Sequence, residues 1–227
     1  ALGRALVRHP DVFLLDEPLS NLDALLREKV RAELKQLFDS QQVPVVYVTH
    51  DQTEAMTLSS KVAVLNQGLV QQLDAPHQIY NRPANLFVAG FVGSPQMNLL
   101  TIPCEGRHAI LGDFRIPLPN HAATPPRSVV LGIRPEHIYP AAPEEQQTIQ
   151  GRAFLVENLG MHNLVSLRVQ NSRNEQQPIV LRALLPPDRN WCNQNLTLAL
   201  PAEQLHWFDV DSGNSLTRST REQVAAH

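Results

Sequence analysis

The chain has 227 residues, 43% of them hydrophobic, enough apolar material for one large domain or two small ones with a buried core. Its 19 Lys+Arg against 22 Asp+Glu give a net charge of −3 and a pI near 6.3, without the basic excess that draws a protein to phosphate backbones, so nucleic acid is not an expected partner. Two distant cysteines, Cys104 and Cys192, make neither a disulfide framework nor a zinc motif, and no apolar stretch is long enough to span a bilayer, so a reducing cytoplasm and a peripheral membrane role are expected.

In chain order, Leu2, Ala5, Leu6 and His9 fall at helical spacing with no capping residue before them, which reads as a helix already under way at Ala1 and stopped by Pro10. Residues 12–15 are a short continuous apolar run, predicted as a strand buried on both faces of a parallel sheet. The run ends at two adjacent carboxylates, Asp16 and Glu17. Like charges side by side resist desolvation, and are tolerable there only where a cation or a protonatable substrate offsets the cost. From Asp23 the spacing changes: Leu26, Val30, Leu34, Leu37 and Phe38 predict a helix with a core-facing stripe, and Arg27, Glu28, Lys29, Arg31 and Lys35 its solvated face. Residues 43–49 predict a second buried strand that ends at His50, and Asp51 with Glu54 reads as a capping box opening the next helix.

Strand, helix, strand, helix is the alternation of a parallel α/β sheet, and in such sheets ligands bind outside the carboxyl ends of the strands. Asp16, Glu17 and His50 fall at those ends. The remaining eight histidines are scattered without metal-ligand spacing, and the two cysteines are expected to be small core residues.

Farther along, residues 61–65 and 69–73 joined by Asn66-Gln67-Gly68 predict a hairpin, followed by short helices after Pro76 and Pro83. Beyond Gly93 helical periodicity fades, and β-like runs at 129–133, 153–156, 164–169, 179–183 and 197–200 predict a small all-β barrel. Residues 141–150 are expected to form a surface loop and residues 215–227 a frayed tail.

Several of these stretches resemble one family. Val12 to Pro18, reading VFLLDEP, is similar to the Walker B strand and catalytic glutamate of ABC transporter ATPases; LSNLD, ending at Asp23, resembles the D-loop, and Thr49-His50-Asp51 the switch histidine. HDQTEAM from His50, then Gly93-Ser94-Pro95 with Met97-Asn98, is similar to the importer ATPases for sugars, glycerol phosphate and related solutes. GIRPEH from Gly132, and LHWFD from Leu205 with Gly213, resemble the C-terminal TOBE regulatory domain of that group. The resemblance implies a partial P-loop NTPase α/β domain over residues 1–92 and an OB-like TOBE barrel over 93–227. It implies ATP and Mg²⁺ as cofactors, with Asp16 holding the metal, Glu17 polarising the attacking water, His50 contacting the γ-phosphate, and Ser20 and Asp23 at the interface with a second ATPase subunit. Transmembrane permease subunits and, indirectly, a solute-binding protein are the implied partners, at the cytoplasmic face of the membrane.

No G-x-x-x-x-G-K-[ST] occurs among these residues, and neither does LSGGQ, which in the family lies just upstream of the text matching Ala1. The sequence thus resembles the C-terminal portion of an importer ATPase and is expected to be inactive alone. The competing expectation is a non-hydrolysing regulatory or solute-binding module built on the barrel.

Overall fold

Apolar runs at 13–16 and 45–48 are extended because bulky and β-branched side chains suit a pleated surface. In the computed structural model, which describes residues 11–40, 43–119, 126–145, 147–170 and 178–217, they form β1 (Phe13–Asp16) and β2 (Val45–Val48), paired in parallel with Asp16 opposite Val48. The crossover is α1 (Ala24–Ser40), and α2 (Gln52–Leu58) follows the second strand. Asp23 caps α1, its Oδ1 accepting from the Leu26 N–H at 2.9 Å. Leu19, Leu34 and Leu58 form the small core between strands and helices, with Val30, Leu37, Phe38 and Tyr47 packed around it. The residues near Leu2 and His9 read as a helix lie outside the described residues.

The expected burial of both strands on two faces is corrected here: Phe13 is 6% exposed and Leu14 73%, with Val46 and Val48 also exposed. Side chains alternate along a strand, and residues of α1 and α2 pack around Tyr47 on one face. The predicted hairpin is present as β3 (Val62–Asn66) and β4 (Leu69–Asp74), antiparallel, turned through Gln67 and Gly68 at φ 50° and 79°. Positive φ at both central residues matches the right-handed twist of the strands. Then α3 (Pro76–Asn81) begins with proline in its first turn, where a missing N–H costs nothing.

The chain divides into two compact units, Ala1–Arg82 and Pro83–His227. The short helix α4 (Leu86–Phe91) is tied to the second unit, where the Leu86 N–H donates to the Gly213 carbonyl at 2.9 Å.

Among its described residues the second unit is all-β apart from α4 and two single helical turns. One five-stranded sheet holds β5 (Asn98–Glu105), β6 (His108–Leu111), β7 (Phe114–Pro117), β8 (Ser128–Ile133) and β14 (His206–Phe208), in the order β14-β8-β5-β6-β7. The other holds β9 (Tyr139–Pro140), β10 (Thr148–Asn158), β11 (Asn163–Val169), β12 (Val180–Leu185) and β13 (Asn195–Ala199), in the order β12-β11-β10-β13-β9. Both contribute to one core that includes Ile102, Leu131, Val165, Leu181, Trp191 and Trp207, the packing of a barrel-like domain. Asn98 ties the two sheets: its amide donates to the carbonyls of Ile133 and Arg182 at 3.1 and 2.9 Å and accepts from the Arg182 N–H at 2.8 Å.

Three smaller expectations change. Residues 148–150 belong to β10, with Ile149 buried, so the 141–150 stretch is only partly loop. Residues 215–217 are fixed rather than frayed, since the Ser215 N–H donates to Ala84 and the Leu216 N–H to Trp207; the rest of that stretch lies outside the described residues. Cys192 is exposed and so is not the core residue expected, whereas Cys104 is partly buried and packs against the core.

Candidate active site

Asp16 is the last residue of β1, and the Glu17 N–H continues the ladder by donating to the Val48 carbonyl at 2.9 Å. Glu17 then turns sharply, with φ 41°, a left-handed conformation that a side chain with a Cβ resists by about 1–2 kcal/mol. Strain of this kind gathers where a side chain has to be aimed rather than merely accommodated. The turn is closed by Ser20, whose N–H and Oγ donate to the Glu17 carbonyl at 3.2 and 2.9 Å.

His50 lies two residues beyond β2, and because the strands are parallel and in register, it comes level with the end of β1. Its Nδ1 is 3.0 Å from Glu17 Oε1. A carboxylate can only accept, so the ring proton sits on Nδ1. The hydrogen bond to Glu17, and then the Glu17 charge, hold His50 above its usual pKa. Two of the sequence-predicted residues are thus brought into contact.

Around them lies a network that sequence reasoning did not find. Glu54, expected to complete a capping box, is 3% exposed and turns inward: Tyr47 Oη and Thr49 Oγ1 donate to its Oε2 at 2.9 and 2.8 Å. The cap falls to Asp51 alone, whose Oδ1 accepts from the N–H groups of Thr53 and Glu54 at 2.7 and 3.2 Å. Burial, then the bond to Glu54, pushes the Tyr47 phenol far above its ordinary range. Tyr47 lies in β2 and Thr49 just beyond its end, two residues on, and that pair of hydroxyls was the available signal. Arg27, read as part of a solvated face, instead reaches back over the turn: its Nη2 donates to the Leu22 carbonyl at 3.0 Å, and its Nη1 lies 3.8 Å from Asp51 Oδ2.

Ser20 and Asp23 sit in the same turn, with Ser20 bonded to Glu17 and Asp23 occupied in capping α1. Asp16 is exposed at the strand end, and among the described residues no three His, Cys, Asp or Glu lie together in a way that would hold a metal by themselves. A lone accessible carboxylate suits Mg²⁺, which keeps several waters and binds through one or two carboxylates plus substrate phosphates. The residues present therefore fit a magnesium ion that arrives with a nucleotide.

Comparison with known proteins agrees with the second unit's fold. The MalK OB fold domain matches residues 93–138, and the TOBE domain residues 131–208. The chain is 44% identical over 223 residues to the sn-glycerol-3-phosphate import ATP-binding protein UgpC of Yersinia enterocolitica, covering 94% of this chain and 59% of that protein. It is 47% identical over 182 residues to the trehalose/maltose import ATP-binding protein MalK of Thermococcus litoralis, covering 74% of this chain and 49% of that one. An uncharacterized ABC transporter ATP-binding protein of Escherichia coli, YcjV, is 38% identical over 219 residues, 93% of this chain and 59% of its own length. The chain therefore spans about three fifths of the length of the curated relatives it matches across most of its own. These matches make the chain the counterpart of the C-terminal part of an ABC importer ATP-binding subunit, with its OB and TOBE domains.

Proposed function

We propose that this chain supplies the water-activating side of the ATP site of an importer ATPase, and that the Glu17 to His50 contact is its working centre. The carrying observation is that contact itself, a 3.0 Å bond between residues at the carboxyl ends of two parallel strands. Hydrolysis of a phosphoanhydride by water depends mainly on positioning and charge stabilisation. Glu17 Oε1 is an acceptor placed to orient and deprotonate a water, and His50 a donor able to leave Glu17 for a terminal phosphate oxygen. Asp16 would hold Mg²⁺, which when bound neutralises charge on the phosphates. Ser20 and Asp23 would stand toward a second ATPase subunit.

In the assembled importer, this reading has the subunit at the cytoplasmic face, energising permease subunits for uptake of a solute such as a sugar or glycerol phosphate. Among the described residues no helix is long and apolar enough to cross a membrane, which is compatible with a peripheral place. The names of the relatives, importers of sn-glycerol 3-phosphate and of trehalose and maltose, support the solute class.

The test joins this chain to the part of the Yersinia enterocolitica relative that it does not span. The chimera should hydrolyse ATP, and Glu17→Gln should lower the rate about 10²–10⁴-fold, the usual contribution of a positioned general base. Hydrolysis that survives Glu17→Gln within a few-fold would assign the chemistry elsewhere. A chimera that folds but never hydrolyses would favour the non-catalytic module, which the OB and TOBE matches also support.

A further inference from the structure

Glu17 and His50 belong to different segments, and the β1–β2 ladder alone leaves both loops free to drift beyond the strand ends. Each loop is nonetheless anchored. On one side, Ser20 holds the Glu17 carbonyl twice, through its N–H at 3.2 Å and its Oγ at 2.9 Å. On the other, the Asp51 N–H donates to Thr49 Oγ1 at 3.0 Å while Oδ1 caps α2, so the residue after His50 is fixed from two directions. Arg27 joins the two anchors. Its Nη2 is shared between the carbonyls of Leu22 and Ser20, at 3.0 and 3.5 Å, and its Nη1 faces Asp51 Oδ2 at 3.8 Å. Arg27 itself is placed by the first turn of α1, where its N–H donates to the Asp23 carbonyl at 2.9 Å. Glu17, Ser20, Arg27, Asp51 and His50 thus close a ring.

We propose that Arg27 is a positioning residue for the Glu17–His50 pair, its planar fork tying the turn after Glu17 to the residue after His50. Two separated acceptor sets at fixed angles suit a guanidinium and not an ammonium. The inference rests on the reading of Glu17 and His50 as the working pair, and adds to it what sets their distance.

The experiment uses the ¹⁵N-labelled 227-residue chain and reads the His50 imidazole nitrogens in long-range ¹H–¹⁵N spectra at one fixed pH. Glu17→Gln defines the signature of His50 without its carboxylate partner. Arg27→Gln should move His50 toward that signature, with the hydrogen-bonded population falling about twofold to fivefold, the range expected when an exposed ion pair is removed. Signals of Tyr47 and of the α2 amides should stay in place, showing that the fold is kept. Arg27→Lys should restore the population only in part. Should Arg27→Gln disturb the fold, Asp51→Asn, which keeps a capping oxygen but removes the charge facing Arg27, takes its place with the same expected loss. A His50 signature unchanged by the substitution that folds overturns the proposal. Identical spectra for the unaltered chain and Glu17→Gln overturn both the proposal and the pair; a lost signature in Arg27→Gln beside a chimera indifferent to Glu17→Gln overturns the catalytic reading alone.

Discussion

The Nδ1 of His50 stands 3.0 Å from Oε1 of Glu17, so an imidazole from the loop after β2 and a carboxylate from the turn after β1 form one ion pair. The bond and the neighbouring charge raise the histidine pKa above its ordinary 6.5. A group raised on folding adds stability that is complete below the unfolded pKa and fades as pH rises through the folded one. Glu17→Gln should therefore lower the His50 midpoint in an NMR titration toward 6.5. A midpoint that does not move would show that the pair is not formed in solution.

Asn98 gives a second expectation, on stability. Its amide serves three backbone partners in both sheets of the second unit, and it is itself buried. Asn98→Ala removes these bonds and leaves the Arg182 N–H without a side-chain acceptor. The cost should be about 2–4 kcal/mol, the sum of a few lost bonds and one orphaned group. Urea unfolding followed by tryptophan fluorescence measures it, and a loss under half a kilocalorie would mean water replaces the amide without penalty.

The first unit was legible in the sequence where local rules decide. The apolar run into Asp16, the hairpin turn at Gln67-Gly68 and the proline entry to α3 follow from side-chain pattern and backbone preference. What was illegible depends on chain distant in sequence. Nothing in Leu14 says that its face is left open, since burial belongs to whatever packs against it. Arg27 looks like any helix cation until the Leu22 carbonyl and Asp51 are seen beside it. Glu54 satisfied a capping pattern by position, yet a buried carboxylate binds the strongest donors near it, and here those are two hydroxyls. Strands β5 to β7 escaped notice because Pro103 and the turns at Gly106 and Gly112 cut their apolar runs short.

Gly112 turns β6 into β7 at φ 62°, and a Cβ there would press directly on the Gln170 carbonyl oxygen and crowd Val169. Neither the backbone conformation nor the space admits alanine. Gly112→Ala should cost about 2–4 kcal/mol, combining left-handed strain with overpacking against backbone. Gly68→Ala is the control: its φ is also positive, at 79°, but nothing lies within 4 Å, so only the conformational part should appear. Equal losses for the two substitutions would remove the steric argument.

His206 supplies the acid limit of the second unit. Burial, then the charge of Arg134, then that of His137, pull its pKa down to about 4, and its ring stacks near Phe208. Arg134 is wholly buried beside it, donating to the Val92 carbonyl at 2.9 Å, so the positive charge cannot retreat into water. His137 is depressed as well, by burial and to a lesser degree by Arg134, with Glu136 working against the shift. The folded state therefore takes up protons later than the unfolded chain does. Where the folded pKa lies below the unfolded one, stability is full above about pH 6.5 and falls as pH drops toward 4, by up to roughly 3 kcal/mol for a shift of this size. Unfolding free energies between pH 7.5 and 5 should decline for the unaltered chain more steeply than for His206→Gln, which cannot titrate. Parallel pH profiles for the two would mean that the imidazole is protonated inside the fold, and that Arg134 is screened from it by water.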